Sequence, residues 1–294
     1  MVIHVTTQSI TPRAAIVRRA TIVFSYGEQW TLCYASFRLF MPIVFLPGSV
    51  GAHRLEADAT GIGMERTHII VNHAYLPDLA EPPREAVAQQ RVWAALVREA
   101  PLPRPPETIA AVDVHLGADR AIGVAALVSF PDLTPIAVVS ADAPLAYPYV
   151  PGLLSWRELP AALAALERLP AVPDVLIADG HGRSHPRRFG LACHLGLAVD
   201  LPTLGCAKSI LVGRYEGLAE AAGSVVPLVD KGEVVAMALR TRTGVAPVFP
   251  SVGHRITLDD AVEIVRRSAV RTKLPEPSRL AHNEAQRLAR AARP

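Results

Sequence analysis

Aromatic residues supply only 5 % of this 294-residue chain, and lysine (Lys208, Lys231, Lys273) and cysteine (Cys33, Cys193, Cys206) occur three times each. Three cysteines without metal-ligand spacing exclude a disulfide framework. They read as core thiols of a reducing compartment, which points to the cytoplasm. Pro42 interrupts the apolar stretch at residues 39–46, leaving it far short of the roughly 20 residues a membrane-spanning helix needs. No basic stretch leads into an apolar core and a small-residue cleavage site, so a secretory signal is not expected. What is abundant is Ala, Pro and Arg, a bias that a GC-rich coding sequence explains without a functional cause. Half of the residues are hydrophobic, ample for a buried core, and the net charge of +3 with a pI near 8.9 permits a polyanionic partner without requiring one.

The chain divides into two parts of unequal quality. Residues 1–80 carry scattered hydrophobic stretches without sustained periodicity. Among the first 50, Arg13, Arg18, Arg19 and Arg38 stand against one acid, Glu28. That pattern suits an organelle-targeting peptide. The plainer expectation is a poorly ordered extension or an over-long gene model with the real start near Met64, and no function is placed there.

Residues 81–294 are well patterned. Residues 84–99 place Val87, Trp93, Leu96 and Val97 among charges, an amphipathic helix that Pro101, Pro103, Pro105 and Pro106 end. Apolar runs at 109–114, 121–130 and 135–140 predict three closely spaced strands, an antiparallel meander. Residues 153–169 predict a helix, with Ser155 as cap and Glu158 three residues on, a capping box. A buried strand at 174–178, a helix at 188–199 and a strand at 202–206 follow. Residues 233–240 are expected to extend the sheet, and residues 258–267 to add a covering helix. The order βββαβαβ describes an α/β fold, a ribonuclease H-like mixed β-sheet flanked by helices.

Within this pattern a few residues could do chemistry. Asp113 interrupts a strand of Ile, Ala and Val, and a carboxylate there is costly without a partner such as a divalent cation. Asp179 follows Val175-Leu176-Ile177-Ala178 at a strand's carboxyl end, where open α/β sheets place their sites, and Gly180 and Gly182 allow close approach. Glu158 alone reads equally as a helix cap. Three carboxylates on separate elements suit one or two Mg²⁺ ions and phosphodiester hydrolysis. His181 and His185 lie four apart, but Gly182 and Pro186 disfavour a helix and no acid or cysteine completes a zinc set. A proton-transfer or phosphate-binding role for His185 fits better, with Arg187 and Arg188 beyond it. Lys208 follows a strand and reads as readily as an exposed strand end. Tyr147-Pro148-Tyr149-Val150-Pro151-Gly152 is a stiff loop whose tip could wedge between bases or simply pack.

Together these motifs resemble endonuclease V, the deoxyinosine 3′-endonuclease of DNA repair, from about residue 87 to 288. The resemblance rests on Pro148-Tyr149-Val150-Pro151-Gly152 running into Leu153-Leu154-Ser155-Trp156-Arg157-Glu158, and on Asp179-Gly180-His181-Gly182 with His185-Pro186-Arg187-Arg188. Gly205-Cys206-Ala207-Lys208, Gly253-His254-Arg255, Leu274-Pro275-Glu276-Pro277 and Arg279-Leu280-Ala281-His282 fit in order and spacing. It implies that Asp113, Glu158 and Asp179 bind Mg²⁺ or Mn²⁺, that Lys208 contacts the phosphate, that His185 assists binding or proton transfer, and that His282 lies by the site. It implies a wedge at Tyr149 and a pocket for the flipped base near Gly152, with Pro151, Leu154, Arg157, Gly180 and His254 also binding substrate. The implied partner is DNA carrying deoxyinosine or other deaminated bases, cut at the second phosphodiester 3′ of the lesion by a monomer. An inosine-specific endoribonuclease and a catalytically silent nucleic-acid-binding module are the alternatives, and all four of Asp113, Glu158, Asp179 and Lys208 being present argues against the second. His115, where many members have a small residue, is expected to crowd or adjust the metal site. The N-terminal extension has no counterpart in the family.

Overall fold

The computed structural model describes residues 68–292, and of the first 67 residues only the backbone of three strands. Those strands, β1 (Ile3–Gln8), β2 (Arg19–Tyr26) and β3 (Gln29–Leu32), form an antiparallel sheet in the order β1-β2-β3. They belong to a compact unit of residues 1–62, separate from that of residues 63–294.

In the second unit a short 3-10 turn (His73–Tyr75) precedes helix α1 (Pro83–Ala94), which starts on Pro83 at its first position, where a missing N–H costs nothing. Ile69, Val71, Tyr75 and Leu76, upstream of residue 81, also pack on the core. Strands β4 (Thr108–Leu116), β5 (Arg120–Ser129) and β6 (Pro135–Pro144) form the expected meander. Helix α2 (Leu154–Leu166), β7 (Val175–Ala178), α3 (Leu191–Val199) and β8 (Thr203–Ala207) complete the expected order. The edge strand β11 (Phe249–His254) joins β8 to give a six-stranded sheet, β11-β8-β7-β4-β5-β6, with β4, β7 and β8 parallel.

Two differences from expectation concern the later strands. Residues 233–239 do not extend the main sheet: β10 (Glu233–Leu239) pairs with β9 (Val225–Asp230) as a separate two-stranded hairpin. The sixth strand of the sheet is instead β11, whose Pro250 and Gly253 hide its strand character and suit its place at an edge. Helices α4 (Leu258–Ser268) and α5 (Glu276–Ala291) cover the sheet. Among the described residues no helix is long and apolar enough to cross a membrane.

The period-two alternation of β4 divides the core. Ala110 and Val112 face α2 and α3, packing with Leu159, Leu166 and Leu195. Ile109 and Ala111 face the opposite side, where Ile264 and Val265 of α4 lie, and α5 packs Ala281 and Ala285 on Ile122, Val124 and Ala126 of β5. Asp113 continues the second series, so it emerges beneath α5. Helix α2 lies unusually close to the sheet because β5 carries Gly123 there. A Cβ at that position would sit 2.0 Å from the Ala161 carbonyl oxygen, an overlap that only displacement of the helix could relieve. That close seat sets the height at which Glu158 of α2 projects.

Candidate active site

Val112 of β4 pairs with Ala178 of β7, so Asp113 and Asp179 leave adjacent parallel strands at the same level. The two acids and His282 of α5 each offer a ligand atom, all within 4.8 Å of one another. Asp113 and Asp179 are mostly buried, their side chains 15 % and 13 % exposed. Two ionised carboxylates that close repel by about 3.5 kcal/mol or more at an effective dielectric constant of about 20. Partial compensation is visible. Asp113 Oδ2 hydrogen-bonds His282 Nδ1 at 2.8 Å and its Oδ1 accepts from the Val114 N–H at 3.0 Å. Asp179 is ion-paired to Lys208, which follows β8 on the next parallel strand. Burial and the Asp113 charge still hold the Asp179 carboxyl above its ordinary range, with Lys208 opposing.

Glu158 reaches the same edge from the other face of the sheet. It is outside the tight set of three ligand atoms, yet burial, Asp113 and Asp179 together push its pKa up to about 8. The predicted capping box is not formed. Leu153 occupies the cap position without a side-chain hydrogen bond, and Ser155 lies inside the helix, its hydroxyl 3.1 Å from His194 Nδ1. His194 Nε2 donates to the Tyr75 carbonyl at 2.8 Å, so Nδ1 is the acceptor of the Ser155 hydroxyl. Glu158 is thereby free of a capping duty. Three carboxylates against one lysine make a donor set that fits a divalent cation, with Asp113 and Asp179 as oxygen ligands, His282 as a nitrogen ligand and Glu158 within electrostatic reach.

The loop of residues 148–152 stands beside this edge at the start of α2. Tyr149 at its tip is 70 % exposed, Leu154 is exposed, and the Arg157 guanidinium lies 5.8 Å from the Tyr149 ring centre, within cation–π range. Val150-Pro151-Gly152-Leu153 closes as a turn: the Leu153 N–H donates to the Val150 carbonyl at 2.9 Å and Gly152 has φ +80°. Proline second and a positive-φ glycine third are the requirements of a type II turn.

The remaining expected residues separate. Gly180 follows Asp179 directly and its carbonyl packs over Gly205 of β8. His185 is buried away from the ligand cluster, and both of its ring nitrogens are committed. Nδ1 accepts from the Arg187 N–H at 3.2 Å and Nε2 donates to the Gly152 carbonyl at 3.0 Å. Burial and the Arg187 charge lower its pKa to about 3, so the imidazole is neutral near neutrality and its one N–H is given to the loop. Arg188 is neutralised by Asp230 and Glu233, which accounts for a cation at the start of a helix. His254 lies at the opposite end of the sheet, because β11 runs antiparallel to β8 and sets it beside Thr203. Its Nδ1 accepts from the Arg98 N–H at 3.2 Å. His115 shares the Asp113 face of β4 but is not among the three clustered ligands.

Sequence reasoning missed Gln90. It lies on the buried face of α1 between Ala86 and Trp93 and is 1 % exposed. A polar residue in the i, i+4, i+7 stripe was the available signal. It also did not single out the open groove of about 390 Å³ along α5 beside His282, lined by Asn283, Gln286, Arg287 and Arg290.

Comparison with known proteins agrees with this architecture. The Endonuclease V family profile matches residues 90–283. The chain is 47 % identical over 197 residues to an endonuclease V of Nostoc punctiforme, covering 66 % of this chain and 89 % of that protein. The crystal structure of the Streptomyces avermitilis endonuclease V is similar at 37 % identity and a TM-score of 0.70, covering 74 % of this chain and 97 % of that one. A Ciona intestinalis endonuclease V, solved in complex with a 24-mer DNA containing an inosine followed by a ribo-adenosine, shares the fold at 23 % identity and a TM-score of 0.64, covering 71 % of this chain and 98 % of that one. The chain belongs to the endonuclease V family.

Proposed function

We propose that this protein is a metal-dependent DNA repair endonuclease that recognises deoxyinosine and hydrolyses the second phosphodiester 3′ of the lesion, leaving 3′-hydroxyl and 5′-phosphate ends. The observation that carries this reading is the meeting of Asp113, Asp179 and His282 at the carboxyl edge of the sheet, with Lys208 and Glu158 beside them. Catalysis is assigned to residues 81–294. Mg²⁺, with Mn²⁺ able to substitute, would be held by Asp113, Asp179 and Glu158, with His282 as a further ligand or as the group that orients Asp113. When bound, such an ion lowers the pKa of water and neutralises charge on the scissile phosphate.

The chain's own residues supply the rest. Lys208 places a cation beside the phosphate and holds Asp179 in one orientation. The His282 imidazole fixes Asp113 through Nδ1, and Gln286 lies 3.2 Å from its Nε2. Arg287 and Arg290 along the α5 groove offer a path for the phosphate backbone. Tyr149, with Arg157 against its ring, enters the stack from which the damaged base leaves. Flipping costs least where the base is already mispaired, which favours deaminated sites. The Ciona intestinalis relative solved with inosine-containing DNA supports this partner.

The test is incubation with Mg²⁺ and end-labelled DNA or RNA strands carrying a single inosine, with the cut mapped on a sequencing gel. A single DNA incision one nucleotide beyond the inosine's 3′ neighbour bond is expected. Preferred cleavage of the RNA strand would transfer the assignment to an inosine endoribonuclease, and no incision of either with Mg²⁺ or Mn²⁺ would remove the enzymatic reading.

A further inference from the structure

The Gly152 carbonyl receives three donors from two distant parts of the chain. Gln90 Nε2 reaches it at 2.9 Å, His185 Nε2 at 3.0 Å and Arg187 Nη2 at 2.7 Å. A carbonyl oxygen has two lone pairs, so satisfying it needs no more than two. The third donor therefore constrains geometry beyond what satisfaction requires. The donors are also locked to one another. Gln90 Oε1 accepts from Arg187 Nε, and Gln90 Nε2 donates as well to the Phe189 carbonyl at 2.9 Å. Arg187 Nε and Nη2 are thus both used, and its backbone N–H fixes the His185 tautomer.

The Arg187 guanidinium is held partly buried here without a carboxylate partner among the described residues. Burial and Arg91 make the charge less favourable, and no acid offsets them. The carbonyl it grips belongs to the φ +80° residue of the turn that carries Tyr149. A Cβ at Gly152 would lie 2.4 Å from Arg187 Nη2. Glycine is needed there twice, for the backbone conformation and for the clamp.

We propose that Gln90 is a positioning residue for substrate discrimination: with Arg187 and His185 it clamps the Gly152 carbonyl, and so fixes the 148–152 loop that selects the damaged base. The inference rests on the proposed function for what the loop selects, but not for the clamp itself. Because Gln90 sits on α1, the clamp makes a helix remote from the carboxylates part of the recognition apparatus. The side-chain hydrogen bonds of Gln90 reach Gly152, Phe189 and Arg187 and none of the clustered ligands.

The test compares the full-length protein with Gln90→Met, which keeps the volume but loses the amide, and Gln90→Glu, which keeps an acceptor for Arg187 but cannot donate to Gly152 or Phe189. Amide hydrogen exchange of the ligand-free protein is read first. The Leu153 N–H, which closes the turn onto the Val150 carbonyl, should exchange about tenfold faster in Gln90→Met, the effect of about one lost hydrogen bond, with β4 and β5 unchanged. Discrimination is read second, as kcat/KM for an inosine strand over that for the matched undamaged strand. It should fall about tenfold, mainly through KM for the inosine strand, in both variants. Uniformly faster exchange across β4 and β5, or unchanged exchange in the loop, would overturn the clamp. A wild-type protein that cuts no inosine strand would defeat the proposed function while leaving the exchange result to judge the clamp.

Discussion

At the carboxyl edge of the sheet three carboxylates face one lysine, whereas beneath the 148–152 loop every polar group of Gln90 finds a partner. The first region is rigid in backbone, built from adjoining parallel strands, but electrostatically incomplete. The second is built from loops and made rigid by converging donors. The contrast follows from their tasks. A proposed cation site gathers carboxylates at close range against their repulsion, and the cost shows in the raised Glu158 and Asp179 carboxyls. A recognition loop does its selecting with shape, so its hydrogen bonds are completed in advance and little ordering remains for the moment of binding.

Removing a ligand should produce the largest effect. Asp179→Ala is expected to lower single-turnover cleavage at least about a thousandfold, equivalent to about 4 kcal/mol of transition-state stabilisation, while inosine-strand affinity by gel shift stays near wild type. Unchanged cleavage would remove Asp179 from the site. Glu158 offers a second way to break the contrast, through pH. Its carboxyl is raised to about 8 in the folded, metal-free protein from 4.5. Between those values the folded state binds more protons than the unfolded one, so metal-free stability falls as pH rises from about 4.5 to about 8. Glu158→Gln should raise the thermal midpoint of the chelated protein at pH 8 and leave it nearly unchanged at pH 4.5, while abolishing cleavage. Saturating Mg²⁺ should flatten the wild-type slope, because the ion stabilises the charged form and the folded state together. A wild-type midpoint independent of pH under chelation would show that Glu158 does not feel the two aspartates.

The two regions were unequally legible from sequence. Asp113 and Asp179 were readable because an acid within or just after an apolar strand breaks period-two burial, and the parallel pairing of β4 with β7 then brings both to one level. Glu158 was ambiguous, since Ser155 three residues earlier imitates a capping box. Only the structure shows Ser155 turned to His194 instead. His282 was reachable by resemblance alone, because nothing in the sequence of α5 says which strand its polar face overlooks. Gln90 drew no notice in the sequence, and its clamp joins residues 62 positions apart through a backbone carbonyl that no side-chain pattern encodes. Strand β11 was missed because Pro250 and Gly253 oppose strand propensity, and its edge position is what tolerates them.

The exposed end of the 148–152 loop, proposed to select the base, should give an intermediate effect. Tyr149 is 70 % exposed and contributes little to the core. Tyr149→Ala is expected to leave the thermal midpoint unchanged and to reduce duplex cleavage about tenfold, the loss of roughly one base–aromatic stack. Cleavage of a single strand, whose base needs no separation from a partner, should change less than the duplex. Equal losses on both substrates would make Tyr149 a contact to the base and not a wedge.

The smallest effect on chemistry is expected at His254, beside Thr203 at the start of β8. Its ring is buried at the far end of the sheet from Asp179 and Lys208, with Nδ1 accepting from the Arg98 N–H and Nε2 3.5 Å from Asp200. Burial lowers its pKa and Asp200 only partly restores it, so the neutral ring serves as a brace between β11, the segment after α1 and the end of α3. His254→Ala leaves the part-buried Arg98 N–H without its acceptor and should cost about 1 kcal/mol of stability. The edge that carries Asp113 and Asp179 is built by β4, β7 and β8 with α2 and α5, and the polar partners of the His254 ring, Arg98 and Asp200, lie on none of them. The folded fraction should therefore keep kcat/KM within about twofold of wild type, since a site unchanged in geometry loses no transition-state stabilisation. A tenfold loss of kcat/KM at an unchanged thermal midpoint would return His254 to the substrate and require the nucleic acid to wrap to the far end of the sheet.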